Sequence, residues 1–214
     1  MNNKFVLSYS GGKDCILALY RKIQEGCTPV ALLTTVKKSS NETWTHGLTF
    51  DLLEQVSKSL ELPIIYAECD VSEYETKFEE KLKIAKEMGA TSVVYGDIDI
   101  ELHKQWDIDR ATNTGLNYEF PLWQEDREKL VNEVIDNGFK AIIKKVNLDC
   151  MGEDFLGKTL TKELVEKIKE TGSDPCGENG EYHTFVVDGP IFNYKIDVKH
   201  DDFRVEDNYA FSVM

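Results

Sequence analysis

One corner constrains this chain more than any other feature: the run VLSYSGGKDCILAL, Val6 to Leu19. Apolar residues lead into Ser10-Gly11-Gly12-Lys13-Asp14. Ile16, Leu19, Tyr20 and Ile23 then recur at three- and four-residue spacing, which predicts a strand, a tight turn and an amphipathic helix closed by Gly26. The glycines let an anion approach the backbone N–H groups at the helix N-terminus, and the helix dipole favours negative charge there. Lys13 adds a point charge and Ser10 a hydroxyl, while Asp14 either caps the helix or helps hold a magnesium ion. Gly-Gly alone suits an ordinary turn equally well; the added Ser, Lys and Asp tip the balance towards a phosphate cradle. It is not a Walker A loop, which needs Gly in place of Leu7 and Ser or Thr in place of Asp14, nor a dinucleotide fingerprint, whose glycines are spaced.

Around this corner, strands and helices alternate. Apolar, β-branched runs stand at KFVLSY, PVALLTTV, LPIIYAECD, TSVVYGDI and YEFPLW. Helical patterns separate them: one from near Leu48 to before Pro63, one over Glu73 to Met88 with Phe78, Leu82 and Ala85 on one face, and one between His103 and Asn113. Such alternation predicts βαβ crossovers, hence an α/β parallel sheet with helices on both faces, whose ligands sit at the carboxyl ends of the strands. After Trp123 the pattern changes. A helix over Glu125 to Asn137, the strand FKAIIKKV, a helix near Thr161 to Glu170 and the strand-like segments EYHTFVVDGPIF and YKIDVKHDDFRV predict a smaller α+β domain. The expected domains are 1–123, binding nucleotide, and 124–214, binding substrate.

The formal net charge of −14 argues against nucleic acid and against an anionic membrane surface as partners. No apolar run suits a signal peptide or a bilayer span. Five cysteines, odd in number and without paired spacing, fit a reducing cytoplasm better than a disulfide framework. A homodimer stays open, because periodicity does not separate a subunit seam from core.

SGGKDC resembles the PP-loop of the N-type ATP pyrophosphatases, a superfamily with the HUP, Rossmann-like fold that cleaves ATP between the α and β phosphates. Cys15 departs from the usual final Ser, which removes one hydroxyl donor; read structurally, it is a small residue of the first helical turn. GSDPCGENGEYHTFVVDGPIF, Gly172 to Phe192, together with YGDI and FPLW, narrows the resemblance to the diphthine–ammonia ligase (diphthamide synthetase) family and its prokaryotic relatives, over nearly the whole chain from Lys4 to about Phe192. That resemblance implies activation of a carboxylate by ATP with magnesium, departure of pyrophosphate, and attack by ammonia on the acyl-adenylate to give an amide. The acid would be diphthine on a translation elongation factor in an archaeal or eukaryotic setting, and a small-molecule carboxylate otherwise. The chain shows no glutaminase pattern, so free ammonia or a partner enzyme supplies the nitrogen.

Residue by residue, the nucleotide falls to Ser10, Gly11, Gly12, Lys13, Asp14, Cys15, Thr34, Thr35, His46, Gly96 and Asp97. Thr34 and Thr35 follow the second strand, where PP-loop folds place adenine. His46 heads the next helix, as cap or nucleotide contact. Asp97 holds magnesium or a ribose hydroxyl, or else caps a turn. Asn179-Gly180 is a two-residue hairpin signal, which would set Glu178 directly opposite Glu181; like charges so placed need a shared cation. Alternation puts His183 on the Glu181 face as a candidate general base, and the family commonly has an acidic residue there, so the His form marks a different branch. Lys13, Asp14, Glu178, Glu181 and His183 are thus the catalytic candidates. Arg110, on one helical face with His103 and Trp106, joins Glu178 and Glu181 as a candidate for substrate, against the alternative of a surface ion pair. Two rivals remain: another PP-loop ligase acting on RNA or a small molecule, and a nucleotide-binding regulator of the universal-stress type. The first is expected to carry cysteine pairs or basic surface, the second a glycine motif after its fourth strand; neither feature is present.

Overall fold

Strands that are apolar on both sides need cover on both faces. The computed structural model, which describes residues 3–198 and 202–213, resolves into two units, one holding residues up to Ser10 and Asp14–Gln124, the other Gly11–Lys13 and residues from Glu125 onward. The first unit runs β1 (Lys4–Ser8), α1 (Lys13–Gln24), β2 (Thr28–Lys37), α2 (Phe50–Leu60), β3 (Ile64–Cys69), α3 (Tyr74–Glu87), β4 (Ser92–Val94), α4 (Glu101–Thr114) and β5 (Asn117–Glu119). All strand pairs are parallel, in the order β3-β2-β1-β4-β5. Val6, Ala31, Leu33, Val93 and Tyr95 share one core with Phe78, Leu82 and Ala85 of α3 and Ala111 of α4. Phe5, Leu7 and Leu32, of opposite alternation, are equally buried, so the other face is covered too. The strand order reverses between β1 and β4, which is where such sheets leave a crevice beyond their carboxyl ends.

Local chemistry sets the boundaries. Thr49 caps α2 through its hydroxyl, and Glu61 ends that helix in the left-handed region. Gly26 follows α1 at φ +81°. Tyr95 OH donates to the Asp107 carbonyl at 3.1 Å, and Arg110 of α4 reaches Glu75 (2.5 Å) and Glu79 (2.9 Å) of α3.

The second unit contains α5 (Arg127–Asp136), β6 (Lys140–Asn147), α6 (Lys162–Glu170), β7 (Tyr182–Asp188), β8 (Asp202–Glu206) and β9 (Tyr209–Val213). Its sheet is antiparallel in the order β7-β6-β9-β8. Asp126 and Thr161 cap α5 and α6 by accepting from Lys129 N and Leu164 N. The expected strand YKIDVKHDDFRV is only partly one: residues 194–198 are irregular, 199–201 lie outside the described residues, and β8 begins at Asp202. β9, which sequence reasoning passed over, follows a two-residue turn with Asp207 at φ +52°. No disulfide joins the five cysteines. Among the described residues no helix is long and apolar enough to cross a membrane.

Candidate active site

The carboxyl edge of the parallel sheet opens onto a cavity of about 490 Å³ within the first unit. β1 and its extension contribute Ser8, Tyr9 and Ser10; β2 contributes Thr34 and Thr35; the segment before α2 contributes Thr43, Trp44, Thr45 and His46. Opposite these hydroxyls, Asp97 follows β4, and α3 and α4 add Tyr74, Phe78, His103, Trp106 and Asp107. Five residues singled out from sequence, Ser10, Thr34, Thr35, His46 and Asp97, therefore line one space. His46 does not cap α2, since Thr49 holds that position, and it is buried in the cavity wall.

Aromatic rings form much of that wall. Trp44 meets Tyr74 edge-on at 5.6 Å, while Trp106 lies 5.8 Å from Tyr74 and 5.2 Å from Phe78. Thr35 Oγ1 and Tyr74 OH share a hydrogen bond of 3.0 Å. Burial, then the charge of Asp97 and a hydrogen bond with it, holds the Asp107 carboxyl far above the usual carboxylate range, so the pair retains a proton. Burial, and secondarily Cys15, raises the Tyr9 phenol well above its ordinary value. His103 Nδ1 lies 3.6 Å from Asp97 Oδ1.

Gly96 serves packing. A Cβ there would stand 2.7 Å from Cys15 N and 2.9 Å from Asp14 C, inside contact distance of the first turn of α1. Cys15 is buried, and its sulfur accepts from Ser10 Oγ at 3.5 Å. Arg110 pairs with Glu75 and Glu79 and lies over the face of Trp106 at 5.4 Å, the ion-pair arrangement weighed from sequence.

The glycine corner itself clusters with the second unit. Gly11 takes φ +90°, a conformation that favours glycine. Its carbonyl accepts from Val186 N (3.0 Å), and Lys13 N donates to Thr184 Oγ1 (3.0 Å). Lys13 is 4% exposed, its ammonium 5.5 Å from the centre of the Tyr182 ring. The face of β7 that meets Lys13 is thus that of Tyr182 and Thr184; strand alternation puts His183 on the other face, where it is half-buried opposite Lys145. Thr184 escaped sequence reasoning, although the same alternation displayed it.

Asn179-Gly180 makes no two-residue hairpin, because no strand precedes it: β7 begins at Tyr182, and residues 173–181 form a loop. Glu178 and Glu181 consequently do not stand as cross-strand partners. Instead Glu181, 7% exposed, organises the loop: Oε1 accepts from Asp174 N (3.0 Å) and Asn179 Nδ2 (3.1 Å), and Oε2 from Asn179 N (3.1 Å). Asp174 pairs with Arg127, and Tyr182 OH donates to the Pro175 carbonyl at 2.6 Å. Gly177, at φ +71°, admits the Tyr182 ring, which a Cβ would meet at 2.8 Å.

The profile of the diphthamide synthase N-terminal domain matches residues 3–117, and that of the diphthamide synthase C-terminal domain matches residues 126–212. The mouse protein named diphthine–ammonia ligase is 30% identical over 232 residues, covering 95% of this chain and 85% of that one. The human protein of the same name is 29% identical over 236 residues with the same coverages. A solved structure described as a "predicted subunit of tRNA methyltransferase" from Methanocaldococcus jannaschii covers 90% of this chain and all of that one, at 16% identity and a TM-score of 0.46, too loose a likeness to carry an argument.

Proposed function

The chain belongs to the diphthine–ammonia ligase family, with both diphthamide synthase domains present, and on that premise we propose how its residues divide the reaction. It is an ATP-dependent ammonia ligase of the diphthamide-synthesis type. Its acid is the carboxylate of diphthine on a translation elongation factor, activated as the acyl-adenylate with loss of pyrophosphate and then captured by ammonia.

The observation that carries this division is the cavity at the switch point of the parallel sheet, whose β1 end supplies Ser10. Its volume, its hydroxyls at Ser8, Ser10, Thr34, Thr35, Thr43 and Thr45, and the imidazole of His46 fit an adenine nucleoside. Gly11, Gly12 and the N-terminus of α1 take the phosphates, where preorganised N–H groups stabilise charge growing on the departing pyrophosphate. The described residues gather no set of three acidic, His or Cys ligands. That fits a magnesium ion held mostly by phosphate oxygens, as is usual for this ion, with Asp14 as its protein ligand. When bound there, magnesium would neutralise charge between the phosphates. Glu181 holds the 173–181 loop in shape and so presents Glu178 and its neighbours to the acid.

The test is ATP turnover with magnesium and ammonium, resolving AMP and pyrophosphate from ADP and phosphate, with diphthine-bearing elongation factor set against a panel of small carboxylates. AMP and pyrophosphate appear with the elongation factor alone, and Asp14→Ala abolishes them. Formation of ADP, or equal turnover with small acids, overturns the assignment.

A further inference from the structure

A cradle built on two adjacent glycines has no side chains of its own to fix its shape, so whatever touches it decides its conformation. In the second unit that partner is β7, which stands at one edge of its sheet and so turns its outer N–H groups away from β6. Val186 N gives its hydrogen bond to the Gly11 carbonyl (3.0 Å), and Thr184 Oγ1 accepts from Lys13 N (3.0 Å). Two residues apart on one strand, these contacts grip the corner on either side of Gly12. A trans peptide points its C=O and the following N–H in opposite directions. Fixing the Gly11 carbonyl on β7 therefore aims the Gly12 N–H away from the strand, where an anion can meet it. Thr184 meanwhile does for α1 what a capping residue does, from a strand rather than from the preceding turn.

The same face of β7 receives the Lys13 side chain. A lysine is ordinarily a flexible point charge, and ordering it costs rotamer freedom. Here the fold supplies the order: Lys13 is buried, and its ammonium lies 5.5 Å from the centre of the Tyr182 ring, whose face attracts cations. Tyr182 is held in turn, by its hydroxyl on the Pro175 carbonyl and by Gly177, whose missing Cβ makes room for the ring. Charge and donors fixed in advance are what stabilise a growing anion best.

We propose that Thr184 and Tyr182 are positioning residues of the phosphate cradle, Thr184 fixing the backbone of Lys13 and Tyr182 seating its ammonium. The inference rests on the ligase reading and extends it, because β7 lies in the domain expected to serve substrate alone. The step they support is adenylation. A carboxylate oxygen bonds the α phosphorus as the bridging bond to the β phosphate breaks, and its electrons leave on pyrophosphate, the anion that Lys13 and the Gly12 N–H meet. His183, between the two in sequence but on the other face of β7, falls outside this arrangement.

Calorimetric titration of the full chain with magnesium pyrophosphate tests this without turnover. Thr184→Val removes the acceptor and weakens binding about tenfold, whereas Thr184→Ser, which keeps it, restores binding to within about twofold of the wild type. Tyr182→Leu weakens binding several-fold, and Tyr182→Phe, which keeps the ring face, does not. Absence of saturable binding to the wild type overturns the proposal, as does equal affinity in the wild type and Thr184→Val. Equal weakening by Val and Ser, with a lowered urea midpoint, marks a packing role and overturns it too. Steady-state kinetics supply the second arm: in Thr184→Val the kcat for AMP formation falls about tenfold while the KM for the elongation factor stays within about twofold. A rise in that KM alone hands β7 to the acid and overturns the proposal. The expected pattern of pyrophosphate binding, without AMP formation by the wild type, sinks the ligase reading and leaves the positioning role standing.

Discussion

The two units treat buried carboxylates in opposite ways. In the second, Glu181 is nearly sealed from solvent, and three N–H donors from Asp174 and Asn179 meet its oxygens. In the first, Asp107 is equally sealed, yet its Oδ2 has no hydrogen-bond partner, and a second carboxylate, Asp97, stands beside it. A carboxylate wrapped by backbone donors is a folding device, because removing it strands every donor it held. The same group buried with an unmatched oxygen beside a second carboxylate keeps a proton instead. Acidic residues that look equally functional in a motif thus divide by the company their oxygens keep.

Removing the hub breaks the comparison most forcefully. Glu181→Ala strands the three donors and lowers stability by about 3–4 kcal/mol in urea unfolding. An unchanged midpoint would release Glu181 from its folding role and return it to chemistry. For Asp107 the effect is one of pH. Folded, its carboxyl keeps a proton far above the usual range because of burial and then Asp97; unfolded, it ionises near pH 4. Folding therefore takes up a proton between those values. Stability is highest at the acid end and falls as pH rises towards the folded pKa, by up to about 1.4 kcal/mol per pH unit. Asp107→Asn still donates to Asp97 without titrating, so the slope between pH 5 and pH 8 flattens in paired urea melts; a retained slope refutes the shared proton.

Gly96→Ala sharpens the contrast from the packing side. Its Cβ meets the backbone of Cys15 and Asp14, which cannot swing aside as a side chain can. A loss of about 2 kcal/mol and a several-fold rise in the KM for ATP are expected in denaturation and initial-rate assays. The smallest effect belongs to Arg110→Met. Its ties to Glu75 and Glu79 hold α4 to α3, so stability drops by about 1 kcal/mol while the KM values for ATP and ammonium stay within twofold. A large change in either KM would restore Arg110 to the substrate site.

Much of this was legible before any coordinates. The glycine corner, the αβ alternation, the Gly26 stop and the face of Phe78, Leu82 and Ala85 follow from local rules of turn chemistry and periodicity, and each stands where those rules put it. Thr34 and Thr35 were reachable by the same logic, since a parallel strand aims its carboxyl end at the crevice. The Asn-Gly signal misled because a hairpin turn needs a strand on each side, and the segment before Asn179 is drawn instead into the donor set of Glu181. β9 carried a usable sign, a two-residue Asp-Asn turn between alternating FRV and YAF.

What the sequence by itself determined is therefore what short-range chemistry dictates: which residues form strands and helices, where they stop, and which side chains share a face. Tertiary structure alone decided which faces meet. Alternation separates Thr184 from His183, but only the folded second unit sets Thr184 against Lys13. Tyr9, Trp44 and Asp107, far apart along the chain, enter one cavity because the strand order reverses between β1 and β4. Periodicity reports a residue's orientation relative to its own element, whereas hydrogen-bond satisfaction depends on atoms that other elements deliver.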